Sequence, residues 1–117
     1  MTPGQLDLII YQGATWRKTI RIQSPAGTGV DLTDATLRMQ IRPAVASTEI
    51  IIELSTANGR IVVTDASKGE FVVEIEDEAS SQIDQTKGVY DLEVHYPNGD
   101  VDRILMGKVT LSKEVTR

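Results

Sequence analysis

Thr36-Leu37-Arg38-Met39-Gln40-Ile41-Arg42 alternates apolar and polar residues without a break, and Pro43 follows it. Successive side chains on a strand point to opposite faces of a sheet. Leu37, Met39 and Ile41 therefore share a buried face, and Arg38, Gln40 and Arg42 a solvated one. Pro43 has no N–H to give a ladder and closes the strand.

The same period continues on both sides of this stretch. Residues 6–12 read as a first strand ended by Gly13. Residues 15–23 read as a second, with Trp16, Ile20 and Ile22 on one face and Arg17, Thr19 and Arg21 on the other. Ser24-Pro25-Ala26-Gly27-Thr28-Gly29 is a loop, because Pro fixes one backbone angle and Gly permits positive φ. Residues 50–54, 60–64 and 69–76 follow as strands, with Phe71, Val73 and Ile75 inward in the last. Asn58-Gly59 makes a hairpin turn. Residues 88–96 turn Tyr90, Leu92, Val94 and Tyr96 inward. Pro97-Asn98-Gly99-Asp100 is a tight turn. Residues 101–115 form a long last strand, kinked at Gly107, with Val101, Leu105, Val109 and Leu111 inward.

Residues 77–86 break the alternation. They are polar apart from Ile83, and Asp77 can cap a short helix that crosses between sheets. Helices long enough for parallel crossovers are missing, so antiparallel pairing is expected. The pattern predicts one domain over residues 1–117. Its fold is an all-β, immunoglobulin-like antiparallel β-sandwich of about eight strands with one short helical crossover.

Composition narrows the functional classes. The chain has 117 residues, 40% hydrophobic and 25% charged, which is ordinary for one globular domain. Its net charge of −5 disfavours binding to a phosphate backbone, so no nucleic-acid partner is expected. With no cysteine, disulfides and thiolate metal sites are excluded. No apolar run approaches the ~20 residues that span a bilayer, and the first residues do not read as a signal peptide.

The chemical inventory is thin. His95 is the single histidine and falls beside Asp91 and Glu93 on a polar strand face. Neither a nucleophile nor a second ligand cluster accompanies it in the sequence, so no catalytic, metal or cofactor residues are assigned. The acids of residues 65–78 sit in turns and on alternate strand positions, as a solvated face does. Asn98-Gly99-Asp100-Val101-Asp102 is explained by its hairpin. The candidate partner-binding residues are Arg17, Arg21, Arg38 and Arg42. They would make one guanidinium face if their two strands lay in one sheet, and would otherwise pair with neighbouring acids.

Several segments resemble a known group. Tyr11-Gln12-Gly13-Ala14-Thr15-Trp16, Val30-Asp31-Leu32-Thr33-Asp34-Ala35-Thr36-Leu37, Leu54-Ser55-Thr56-Ala57-Asn58-Gly59-Arg60-Ile61, Gly88-Val89-Tyr90-Asp91-Leu92-Glu93-Val94 and Gly107-Lys108-Val109-Thr110-Leu111-Ser112 are similar to small virion proteins of tailed bacteriophages. The order also resembles the N-terminal β-sandwich domain of upper-baseplate proteins. Asp34 stands where many of those proteins carry Gly. The resemblance implies a non-enzymatic structural or adaptor subunit of the tail or baseplate region. It would be assembled in the host cytoplasm and bound to other virion proteins in multiple, symmetric copies. Residues 1–5 and 112–117 would become ordered in that assembly. Capsid decoration or a head–tail junction is the alternative placement. A carbohydrate-binding module is the alternative of another class, with Tyr11 as its main available aromatic ring.

Overall fold

The computed structural model describes residues 3–116, which form two β-sheets sharing one core. The nine strands among them are β1 (Gly4–Gln5), β2 (Leu8–Tyr11), β3 (Trp16–Arg21), β4 (Thr36–Arg42), β5 (Ile52–Ser55), β6 (Ile61–Asp65), β7 (Glu70–Ile75), β8 (Lys87–His95) and β9 (Val101–Ser112). A single 3-10 turn, Ala66–Lys68, precedes β7, and one short helix, α1 (Asp77–Ser81), joins β7 to β8.

The larger sheet runs β1-β9-β8-β4-β5, with β2 also on β9; the smaller runs β3-β7-β6. The chain changes sheet between β2 and β3, β3 and β4, β5 and β6, and β7 and β8, the last time through α1. The all-β sandwich and its helical crossover are as the alternation predicts. Leu37, Met39 and Ile41 of β4 are almost wholly buried. They pack with Leu54, Leu92 and Val94 of their own sheet and Phe71, Val73 and Ile75 of the opposite one. Leu32, from the Asp31-Leu32-Thr33 segment, plugs the same core from a loop. The Asp31 carboxylate fixes that loop by accepting from the Thr33 N–H and hydroxyl.

The pairing departs from the antiparallel expectation at the N-terminus. Both β1 and β2 run parallel to β9. The first predicted strand is split here because Asp7 interrupts the ladder: its Oδ1 accepts the Lys108 N–H that a backbone carbonyl would otherwise take. Gly4 and Gln5 are already in a strand, so these two residues need no assembly to place them. Met1, Thr2 and Arg117 lie outside the described residues.

The last strand also differs in phase. Leu92 faces Leu105 and Glu93 faces Arg103, so Ile104 is an extra residue with no partner on β8. This bulge buries both Ile104 and Leu105 and turns Val101 outward, where it is half exposed. Val101 therefore does not join the predicted inward set, although Leu105, Val109 and Leu111 do. The irregularity is at Ile104, not at Gly107. The absent side chain at Gly107 serves another purpose, since a Cβ there would lie 2.1 Å from the Leu6 carbonyl oxygen. Tyr90, opposite Gly107, donates its hydroxyl to that same carbonyl at 2.6 Å. Burial pushes the Tyr90 phenol pKa up and keeps it a donor.

Candidate interaction surfaces

The four arginines do not share a face. Arg17 and Arg21 lie on β3 of the smaller sheet, and Arg38 and Arg42 on β4 of the larger. The condition for one guanidinium surface fails because the chain changes sheet between these strands. Each arginine has local partners instead. Arg17 donates twice to Glu74 of the adjacent strand, at 3.1 and 3.0 Å. Arg21 meets Glu70 at 2.8 Å, and Arg38 meets Glu53 at 2.6 Å. Arg42 donates to the Ser47 carbonyl and to Gln40. Hydrogen bonds from these arginines hold the carboxyls of Glu74 and Glu70 below their ordinary pKa. For Glu53 the bond from Gln40 lowers it most, followed by that from Arg38. Such exposed cross-strand pairs align strands and add little stability.

His95 projects from the outer face of β8, with Nε2 3.2 Å from Glu93 Oε1 on its own strand. A shallow, open groove beside it is lined by Thr36, Arg38, Ser55 and Thr56. The Thr56 hydroxyl accepts the Leu37 N–H, so it serves the ladder. Among the described residues, no group of three or more His, Asp or Glu side chains is placed to hold a metal ion.

The crossover is better anchored than its polar sequence implies. Its helix is preceded by Glu76, whose side chain makes no capping bond, and Asp77 is the first helical residue and not the cap. Ser80 is the one fully buried polar residue among those described. Its hydroxyl donates to the Ala14 carbonyl at 2.8 Å and accepts the Gly13 N–H at 3.1 Å. Gln12 donates to the Ile83 carbonyl and accepts the Glu114 N–H. Ile83 fills the core beneath. Three chain segments thus meet around the turn after β2. Ser80 looks like any helix serine in the sequence, and nothing local marks it as a long-range tie.

Below this level the outer face of the larger sheet changes character. A groove of about 440 Å³ is lined by Gln5, Val45, Val89, Met106 and Lys108, among others. Ile9 (54% exposed) and Tyr11 (58%) stand at the sheet's margin on β2. Tyr11 is the aromatic ring that the sequence left available; Ile9, in the same phase, carries no local mark that sets it apart.

The strand edges differ as well. On β5 the outward Glu53 carbonyl accepts from Asn58 Nδ2 at 2.9 Å and from Arg60 at 3.2 Å, and the outward Ser55 N–H donates to Asn58 Oδ1 at 3.0 Å. On β3, Lys18 occupies an inward-phase position opposite Val73, yet stays exposed. On β6 the register slips between Val63 and Asp65. Capping, inward charge and bulges are known ways to prevent edge-to-edge pairing. On β2 neither an inward charge nor a bulge is found among the described residues, and the outward backbone groups meet one local bond, from the Ala14 N–H to the Tyr11 carbonyl.

No protein-family model matches the chain, and no curated protein matches it in sequence.

Proposed function

We propose that this chain is a non-enzymatic structural or adaptor subunit of a tailed-phage virion, acting by protein–protein binding in the tail or baseplate region. One observation supports a binding role above others. The outward arginines and most of the acids facing them are engaged with one another across strands, while apolar side chains and an uncapped strand edge stay exposed on the larger sheet. Such a surface suits a partner subunit better than a small substrate. The virion assignment itself is supported by the sequence resemblance.

Cross-linking mass spectrometry on purified particles tests it. The expected result is this chain cross-linked to tail or baseplate subunits; its absence from the particles ends the proposal. Copy number then separates placements, because decoration of a capsid requires hundreds of copies and a tail ring a handful. The exposure of Tyr11 meets the first requirement of the carbohydrate-binding alternative. A glycan array giving a signal that Tyr11→Ala abolishes would favour that alternative.

A further inference from the structure

The open edge of β2 has the chemistry to pair with itself. In the parallel ladder, Leu6 donates to the Met106 carbonyl and Gln12 to the Ser112 carbonyl. These bonds fix the phase: the even-numbered residues of β2 turn their backbone groups toward β9, and Ile9 and Tyr11 turn theirs away. Among the described residues, the single non-ladder backbone bond to either is that of the Tyr11 carbonyl, which accepts the Ala14 N–H. That oxygen keeps a second lone pair.

The four residues Leu8-Ile9-Ile10-Tyr11 carry no charge. A chain of net charge −5 repels its own copies over most of its surface, so an uncharged edge is where two copies approach most easily. By contrast, β3 carries Arg17, Lys18 and Arg21 within six residues, and the β5 edge is occupied by Asn58 and Arg60.

We infer that two copies of this chain associate through antiparallel pairing of β2 with β2 of the second copy, about a two-fold axis at Ile10. In that register Ile9 faces Tyr11 of the other copy, twice. Each such pair exchanges two backbone hydrogen bonds and sets a β-branched side chain against an aromatic ring, a favourable cross-strand combination. Leu8 then faces Gln12, so no like charges are opposed across residues 8–12. The contact is isologous and closes at two copies. The two larger sheets become one continuous sheet, and their groove-bearing outer faces lie on the same side.

This inference deepens the binding role without resting on the virion assignment. Its experiment uses the purified chain alone, so a negative result on particles leaves it standing. Because the chain has no cysteine, single cysteines report register cleanly. Ile9→Cys and Tyr11→Cys are made separately, with Val62→Cys on the smaller sheet as an equally exposed control. The expected result is rapid disulfide formation in the mixture of Ile9→Cys with Tyr11→Cys, and slow formation in either alone or with the control. Sedimentation gives the second reading. The double variant Ile9→Lys/Tyr11→Lys opposes Lys to Lys and should weaken association at least about tenfold. Mixing it with Ile9→Glu/Tyr11→Glu should restore a heterodimer. Both positions are exposed, so the melting temperature should hardly move. A wild-type chain that stays monomeric up to millimolar concentration, a dimer that survives the Lys pair, or cross-linking indifferent to position would each overturn the inference.

Discussion

The two edges of the larger sheet solve the same problem differently. At β5, the unpaired backbone groups are satisfied from within the chain: Asn58 bridges the Ser55 N–H and the Glu53 carbonyl, and Arg60 adds a second donor. At β2, the strand runs parallel to β9 and its outward backbone groups meet nothing similar, while Ile9 and Tyr11 stand exposed beside them. One edge is closed by two residues, Asn58 and Arg60, and the other is held in place but left open. The turn that carries Asn58-Gly59 is not the expected hairpin, because β5 and β6 lie in different sheets. The lesson is that an edge is defined by what lies across from its backbone, not by its hydrophobicity. Ile52 and Leu54 on the closed edge are at least as apolar as β2.

The comparison breaks most completely at Gly107. Its missing Cβ lets the Leu6 carbonyl approach β9, and an added methyl would sit 2.1 Å from that backbone oxygen. Gly107→Ala is expected to destabilise by about 3 kcal/mol, the upper range for forced overpacking. Hydrogen exchange should show the loss centred on residues 6–11. Ser80→Ala comes next. It leaves the Gly13 N–H and the Ala14 carbonyl without their partly buried side-chain partner, a loss of about 1 kcal/mol by denaturant titration. Because Ser80 fixes the turn after β2, the same variant should speed amide exchange at Gly13. Unchanged exchange there would mean that the hydroxyl is replaced by water.

Asn58→Ala sharpens the contrast in the other direction. It removes both Asn58 bonds to the β5 edge, leaves Arg60 on the Glu53 carbonyl, and costs about 1 kcal/mol in hydrogen bonding. It also frees the outward Ser55 N–H and so opens part of a second edge. Self-association should then rise and persist when β2 carries Ile9→Lys/Tyr11→Lys. If sedimentation shows no such rise, Asn58 stabilises its turn and is not what keeps the edge closed.

Much of the sandwich was legible because local alternation decides it. β4, β7 and β8 each bury one face and solvate the other, so their inward residues follow from a period of two. What could not be read depends on contacts far apart in sequence. The parallel course of β2 depends on β9, about a hundred residues away. The bulge at Ile104 inserts one residue into an otherwise regular run and reverses the phase of Val101. The arginine face failed for the same reason. Arg17 and Arg38 both sit at outward positions of alternating strands, and the sheet to which each strand belongs is a tertiary fact. Their pairing with adjacent glutamates, the plainer expectation, is what the registers produce.

The smallest effect concerns Arg60, which touches both the closed edge and the crossover. Its guanidinium donates to the Glu53 carbonyl and to both oxygens of Glu76, at 3.2 and 2.6 Å. The hydrogen bonds from Arg60 hold the Glu76 carboxyl down at a pKa of about 2. An unfolded chain would titrate this group near its ordinary value of about 4.3. A carboxyl depressed on folding stabilises the native state above the unfolded value. That contribution fades as pH falls from about 4.3 toward 2. Glu76 is half exposed, so solvent screening keeps it near about 0.5 kcal/mol. Stability measured by urea titration should therefore fall more steeply across this window in the native chain than in Arg60→Gln. Parallel curves would mean that the ion pair is too well solvated to matter. A steeper fall, with faster exchange at Ser55 in the same window, would link the β5 cap to the charge on Glu76, making the closed edge conditional on pH while the open one is not.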